Sequence, residues 1–322
     1  MRDIVVTLVL LAPVFVSSFG CAKTDPPPLP DERSSGLVTV DIDKRDPDRL
    51  LRFYFGSYAE QLDSVLVDSG GRYLVDLEAL GRSGFSLKDA DADGNIDWDE
   101  LSAFVVETYY QARRIPSTID SLRTTIGDWH DENWFRISVA GVMTAATRDV
   151  YVRRSAILAA LRNFESAGTL VYPDSTAFVA EHRGNDGVTE YTVMLKRHDG
   201  LWDVAAYGAE GLLADSTLSH PKSYTVPTQC LGCHYGKRLF EPEKSFPGTA
   251  PRGPGGERAV LFPTVPVAAG DVALLDEHRR RSDTVLGLYA TLFVSSLRAR
   301  SVDDLSDDEL HVLQILDSRE GR

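Results

Sequence analysis

The sequence predicts an α+β protein with a helical front, an antiparallel β-rich middle and a helical tail. Three observations carry that expectation. Leu101, Phe104, Val105 and Thr108 recur at the spacing of one helix face in the front segment. Between residues 145 and 210, short runs of β-branched and aromatic residues alternate with turn signals. Near the end, Leu310, Leu313 and Leu316 again recur at helical spacing.

Composition narrows the partners. The 322 residues are enough for two modest domains or one large one, and 43% hydrophobic with 25% charged residues is ordinary for a globular chain. Asp and Glu number 48 against 34 Lys and Arg, a net charge of −14. A surface of that sign repels phosphates, so neither nucleic acid nor an anionic lipid surface is expected as a partner.

The first 20 residues read as an export signal. Arg2 precedes an apolar run from Ile4 to Val16, followed by Ser17, Ser18, Phe19, Gly20 and Cys21. The run is shorter than the ~20 residues of a membrane-spanning helix. Cleavage before Cys21 resembles the processing of a bacterial lipoprotein, although Ser18 and Phe19 depart from the usual residues, and ordinary secretory cleavage is the alternative. Either way the expected location is exported, periplasmic or associated with the outer membrane, with a lipid anchor as the sole membrane contact. Residues 21–38 are polar and proline-rich, as a semi-rigid tether would be.

In the front segment, residues 39–115, twelve residues from Asp89 read Asp-Ala-Asp-Ala-Asp-Gly-Asn-Ile-Asp-Trp-Asp-Glu. Oxygen ligands for Ca2+ fall at Asp89, Asp91, Asp93 and Asp97, with the backbone carbonyl of Asn95 and both carboxylate oxygens of Glu100. Gly94 stands at the sharp turn, and Ile96 is the apolar residue that pins the loop to a partner. This pattern resembles the EF-hand family at each diagnostic position. An exit helix is expected from the Leu101–Thr108 spacing, and only a short entering helix over Ser86–Lys88, because Gly81 and Gly84 interrupt the chain. Asp68-Ser-Gly-Gly-Arg is a poor match to a second loop. A lone hand of this kind suits a structural ion stapling residues 80–110, with affinity near ~10⁻⁴–10⁻³ M.

The middle segment, residues 116–240, carries Cys230-Leu231-Gly232-Cys233-His234. Two thiols three residues apart can add to the two vinyl groups of one haem, and the adjacent imidazole can ligate its iron, so the motif points to covalent haem c. A zinc ribbon would need a second cysteine pair, and the third cysteine is Cys21. No methionine follows the motif, since the three are Met1, Met143 and Met194. The His/Met ligation of simple electron carriers is therefore not expected. The sixth position is open or filled by Met194, His198, His182 or His220, because His278 and His311 read as exposed positions of charged helices.

Before the motif, strands are expected at Asp149–Val152, Gly168–Tyr172, Thr176–Glu181, Tyr191–Lys196 and Leu201–Tyr207, with a helix over Arg153–Asn163. Turns at Pro173-Asp174, Asn185-Asp186-Gly187 and Asp199-Gly200 make this a meander that ends in a loop bearing the cysteines. The order Arg148-Asp-Val-Tyr-Val, helix, Tyr172-Pro-Asp-Ser-Thr-Ala-Phe-Val-Ala-Glu, Tyr191-Thr-Val-Met-Leu-Lys-Arg, Trp202 and a terminal CxxCH resembles the cytochrome P-460 family and its β-sheet cytochrome c prime relatives, over residues 130–240. The resemblance implies a mainly β haem domain with His234 proximal and an open distal side that includes Phe178. It also implies a nitric oxide-like or other small nitrogenous ligand, or oxidation of hydroxylamine. Ala180 stands where many members carry Lys. Phe178, Tyr191 and Trp202 read equally well as sheet core.

The tail, residues 241–322, opens with a proline- and glycine-rich loop that is expected to wrap the haem domain. Helices follow at about 273–299 and 306–318, the second with an N-cap at Ser306 and acids in its first turn. Arg279-Arg280-Arg281 reads as solvated, with docking of an acidic redox partner as the alternative. The expected function is that of a calcium-binding c-type haem protein that takes a small ligand or transfers electrons. The alternatives are a hydroxylamine-oxidising enzyme and a calcium module whose CxxCH carries no metal.

Overall fold

A computed structural model describes residues 36–42, 47–56, 64–140, 147–167, 170–218, 225–234 and 285–319. The export signal, Cys21, the tether up to residue 35, His220, His278 and Arg279–Arg281 lie outside the described residues, as does most of the proline- and glycine-rich loop; the last two tether residues, Leu37 and Val38, belong instead to a strand. Among the described residues no helix is long and apolar enough to cross a membrane.

Both helices and antiparallel sheet are present, as an α+β chain requires. The front runs β1 (Leu37–Val40), α1 (Pro47–Phe55), β2 (Leu66–Ser69), β3 (Arg72–Asp76), α2 (Leu77–Arg82), β4 (Asn95–Ile96) and α3 (Trp98–Ala112). It is not purely helical: its strands form a sheet in the order β2-β3-β1-β4. Asp68-Ser-Gly-Gly-Arg, the poor second calcium loop, is the β2–β3 hairpin turn. Gly70 and Gly71 adopt φ of +66° and +93°, as a two-residue hairpin loop demands, and Asp68 Oδ1 accepts the Gly71 N–H at 2.9 Å. Strands of two to five residues are too short to show alternation, which is why the sheet escaped the sequence reading.

The middle is a second sheet, in which β5 (Trp134–Ala140), β6 (Thr147–Arg153), β7 (Ala177–Gly184), β8 (Gly187–Lys196) and β9 (Trp202–Gly208) follow one another in space as in sequence, all antiparallel. Helix α4 (Ile119–Ile126) precedes the sheet, and α5 (Arg154–Ala167) joins β6 to β7. The turns at Asn185-Asp186 and Asp199-Gly200 fall where expected, with Gly187 and Gly200 at positive φ. The run before Pro173 is not a strand in residues 170–173: Leu170 and Tyr172 alternate inward as a strand would, but β6 and β8 already occupy both edges of β7. With neighbours on both edges and cover on both faces, every residue from Ala177 to His182 is buried.

Alternation along the strands builds two layers. One face (Phe135, Ile137, Val150, Val152, Phe178, Ala180) packs on α5 and on the tail helices α7 (Val285–Arg298) and α8 (Asp307–Arg319), so the tail completes this core. The other face (Tyr151, Val179, Val193, Ala205, Tyr207) packs on Ile119 and Leu122 of α4 and on Trp129. In α8 the buried side is Val312, Ile315 and Leu316, while Leu310 and Leu313 are half-buried, so the inward face is rotated slightly from the expected leucine row. Ser306 caps α8 as expected. Its Oγ accepts the Glu309 N–H at 3.3 Å, and Glu309 Oε2 accepts the Ser306 N–H at 3.0 Å.

Candidate functional site

The acidic loop is held in place from both sides. Upstream, α2 ends at Arg82 and residues 85–89 are not helical, so the expected helix over Ser86–Lys88 is absent. Ser83 and Gly84 close α2, with Gly84 at φ +88°, five residues before the loop begins. Downstream, Asp97 caps α3 in a reciprocal box with Glu100, accepting the Glu100 N–H at 2.9 Å while Glu100 Oε2 accepts the Asp97 N–H at 3.0 Å. Leu101, Phe104 and Val105 are buried on the inner face of α3, as the spacing required.

Within the loop, the carboxylates of Asp89, Asp91 and Asp93 offer oxygens within 4.8 Å of one another. Asp89 accepts the N–H groups of Asp93 (3.2 Å) and Gly94 (2.7 Å), and Asp93 accepts that of Asn95 (2.7 Å). Gly94 has φ +86°, the left-handed conformation expected at the turn. The Asp93 N–H pulls the Asp91 carboxyl down, but desolvation and the neighbouring charges of Asp93 and Asp89 outweigh it, and the group sits above its ordinary value. Converging carboxylates that repel one another are a ligand set that a hard cation would stabilise. Ile96, wholly buried, pins the loop through β4, which pairs in parallel with β1: Val40 faces Ile96, and the Asp41 N–H donates to the Ile96 carbonyl at 2.9 Å.

The cysteine motif sits on a short helix, α6 (Thr228–His234), and not in a loop. Positions 230 and 233 are three apart, about one helical turn. Cys230 is half-buried; the side chains of Cys233 and His234 lie outside the described residues. Three contacts seat the helix. Leu231, 2% exposed, enters the core of the front segment together with Val226 and with Val204 and Ala206 of β9. The Thr228 hydroxyl lies 3.2 Å from the Tyr54 hydroxyl of α1. The Thr217 N–H donates to Gln229 Oε1 at 2.9 Å. Burial pushes the Tyr110 phenol up against the opposing pull of the Ala206 N–H, and the nearby Cys230 adds to the rise. The motif helix therefore belongs to the same apolar core as the acidic loop.

The expected sixth ligands separate. Met194 on β8 is half-buried and packs against both the front core and the tail core. His182 on β7 is 3% exposed, its Nε2 3.1 Å from Thr192 Oγ1 and its Nδ1 3.4 Å from Glu190 Oε1. His198 is exposed in the β8–β9 turn, and His311 is exposed on α8. Phe178 does not line an open pocket. It is 3% exposed, and the rings of Tyr172, Trp202 and Tyr289 lie 5.2, 5.7 and 5.5 Å away, an aromatic cluster that fills the space.

No family model, curated protein or solved structure matches this chain. The site is therefore read from its own residues.

Two buried polar clusters escaped the sequence reading. Glu181, 2% exposed, sits 3.0 Å from Trp129 Nε1, 2.9 Å from His130 Nε2, 2.5 Å from Arg183 Nη2 and 3.3 Å from the Tyr151 hydroxyl. The other joins Arg113, Arg197 and Asp203 beneath the end of α1. The sole sequence signal of the first was one acid directly after the apolar run Ala177–Ala180. The second left none, because Arg113 lies far in the chain from Arg197 and Asp203.

Proposed function

We propose that this chain is an exported, calcium-binding c-type haem protein that takes a small ligand at the iron or passes electrons. The observation that supports it most is the Cys-x-x-Cys-His helix: α6 is anchored on one side by Leu231, Thr228 and Gln229, with Cys230 half-buried. Cys230 and Cys233 would hold the haem covalently, and His234 would ligate its iron. When bound, the haem supplies a redox-active metal and a site for a diatomic or nitrogenous ligand.

The residues around the motif fit such a group. Gln229 Nε2 and Thr217 Oγ1 are buried beside it with no hydrogen-bond partner among the described residues. A buried polar atom left in that state costs about 1–3 kcal/mol, which the polar edge of a bound group would relieve. The chain's own contribution is to hold α6 rigidly against the front core, to keep Leu231 and Tyr109 packed behind it, and to exclude water from that side. Asp89, Asp91, Asp93, Asn95, Asp97 and Glu100 would hold Ca2+ and staple α3 to β1 through β4.

The sequence order that resembles the cytochrome P-460 family supports a small nitrogenous ligand, with hydroxylamine oxidation as the enzymatic alternative; a redox partner protein belongs to the electron-transfer form of the reading. The test is a pyridine haemochrome spectrum of protein produced with the c-haem maturation machinery. A c-type spectrum that disappears in Cys230→Ser/Cys233→Ser supports the proposal, and its absence from the parent protein sinks it. A spectral change on adding nitric oxide then separates ligand binding from pure electron transfer.

A further inference from the structure

The calcium loop and the haem helix are joined by a short chain of contacts. Trp98 is the first residue of α3, directly after Asp97 and two before Glu100, so any tightening of the loop by its ligands bears on its backbone. Its ring stacks obliquely on Tyr54, with 6.4 Å between centroids and 42° between planes. Tyr54 is 1% exposed, and its hydroxyl lies 3.2 Å from the hydroxyl of Thr228, the first residue of α6, itself 2% exposed.

The far end of α3 grips the same residue. Arg113, which follows α3, donates from Nη2 to the Tyr54 carbonyl at 3.2 Å and also to the Phe53 carbonyl. Helix α3 is fifteen residues long, about 22 Å, and touches Tyr54 through the ring at its start and the carbonyl at its end. A packed helix moves as a body, so α3 cannot shift without moving Tyr54. Tyr109 and Tyr110 on the last turn of α3 share an apolar core with Leu231 and Cys230 of α6.

We propose that Tyr54 is a positioning residue that transmits calcium occupancy of the Asp89–Glu100 loop to α6, so that the haem helix is held more firmly when the ion is bound. The inference rests on the calcium and haem readings above and adds a link between them. Tyr54 touches neither the ion nor the haem; it acts through Trp98 on one side and Thr228 on the other.

The primary experiment uses the full chain without haem, in a Cys21→Ser/Cys233→Ser background so that Cys230 is the remaining thiol. Alkylation of Cys230 is timed in calcium and in chelator, while calorimetric titration follows calcium itself. Calcium is expected to slow alkylation roughly fivefold, the equivalent of one buried hydrogen bond. In Tyr54→Phe most of that slowing is lost while calcium affinity is retained. Thr228→Val, which removes the hydroxyl from the other side, does the same and guards against misfolding of either variant. In the haem-loaded protein, calcium shifts the midpoint potential, and Tyr54→Phe abolishes the shift.

Calcium binding with an unchanged alkylation rate overturns the link. Full protection in both hydroxyl variants overturns the route through Tyr54. Failure of calcium to bind overturns the loop reading and the link together. A negative haemochrome beside calcium-dependent protection of Cys230 overturns the haem reading alone and leaves the link standing.

Discussion

Asp203 of β9 holds Arg113 at the end of α3, with Oδ1 2.9 Å from the guanidinium Nε. The Arg113 side chain is completely buried and that of Asp203 11% exposed. Arg197 reaches the same carboxylate at 3.4 Å, and both arginines donate to the Phe53 carbonyl at the end of α1. Burial raises the Asp203 carboxyl above its ordinary value against the pull of Arg113 and Arg197. The two cations, placed at a helix C-terminus, lock the front segment onto the meander. Removing the anion takes from the buried Arg113 its 2.9 Å carboxylate, while Arg197 keeps Asp199. Asp203→Ala is expected to cost about 3–5 kcal/mol in denaturant unfolding. A cost below about 1 kcal/mol would show that the cluster contributes little to joining the two parts.

Glu100 has two roles that one substitution separates. As the proposed bidentate ligand it would dominate calcium affinity, and as the third residue of α3 it completes the capping box with Asp97. Gln serves the cap as well as Glu but offers one neutral oxygen to the ion. Glu100→Gln is expected to weaken calcium binding at least tenfold, starting from about 10⁻⁴–10⁻³ M, while circular dichroism in chelator stays at the parent value. Parallel loss of helix and affinity would mean that the residue acts only as a cap.

The parts of the fold that were legible in the sequence are those with local causes. The strands β6 to β9 alternate over enough residues to be read, the turns carry Asp-Gly or Asn-Asp-Gly, and Ser306 announces a helix start. The loop from Asp89 to Glu100 was legible because its ligand spacing is local, and Gly94 behaves as that spacing requires. What was not legible depends on distant partners. The partner of Ile96 is β1, more than fifty residues upstream, and β1 is four residues long. The seat of α6 lies on α1 and β9, so nothing around Cys230 indicated that the motif shares a core with the calcium loop. Phe178 reads the same in a pocket or a core, and only the arrival of Tyr289 from the tail decides between them.

That decision has a measurable consequence. With Tyr172, Trp202 and Tyr289 around it, Phe178 is expected to behave as a core residue, and Phe178→Ala to cost about 3–5 kcal/mol by urea unfolding. A residue lining an open ligand pocket would instead lose little stability on truncation, because no packed surface is left facing a void. A cost under about 1 kcal/mol would restore the open-pocket reading.

The attachment of α8 gives the chain an acid-sensitive joint. Glu309 is buried, and burial alone would raise its carboxyl. The Ser306 N–H, Arg300 and Arg154 outweigh that and hold it below the ordinary value. Arg300 and Arg154 stand 3.2 and 3.3 Å from Oε1. A depressed folded-state value means that the charged form is the one the fold favours. Its stabilisation is therefore complete above the unfolded carboxylate value near 4.3 and is lost as pH falls through the lower folded value. Thermal unfolding followed from about pH 6 to pH 3 should show stability falling below roughly pH 4.3. Glu309→Gln is expected to cost about 1–2 kcal/mol at neutral pH, where both arginines lose their charge partner while Gln keeps the cap, and to flatten that acid limb. An acid limb of unchanged slope in Glu309→Gln would place the titrating carboxylate elsewhere.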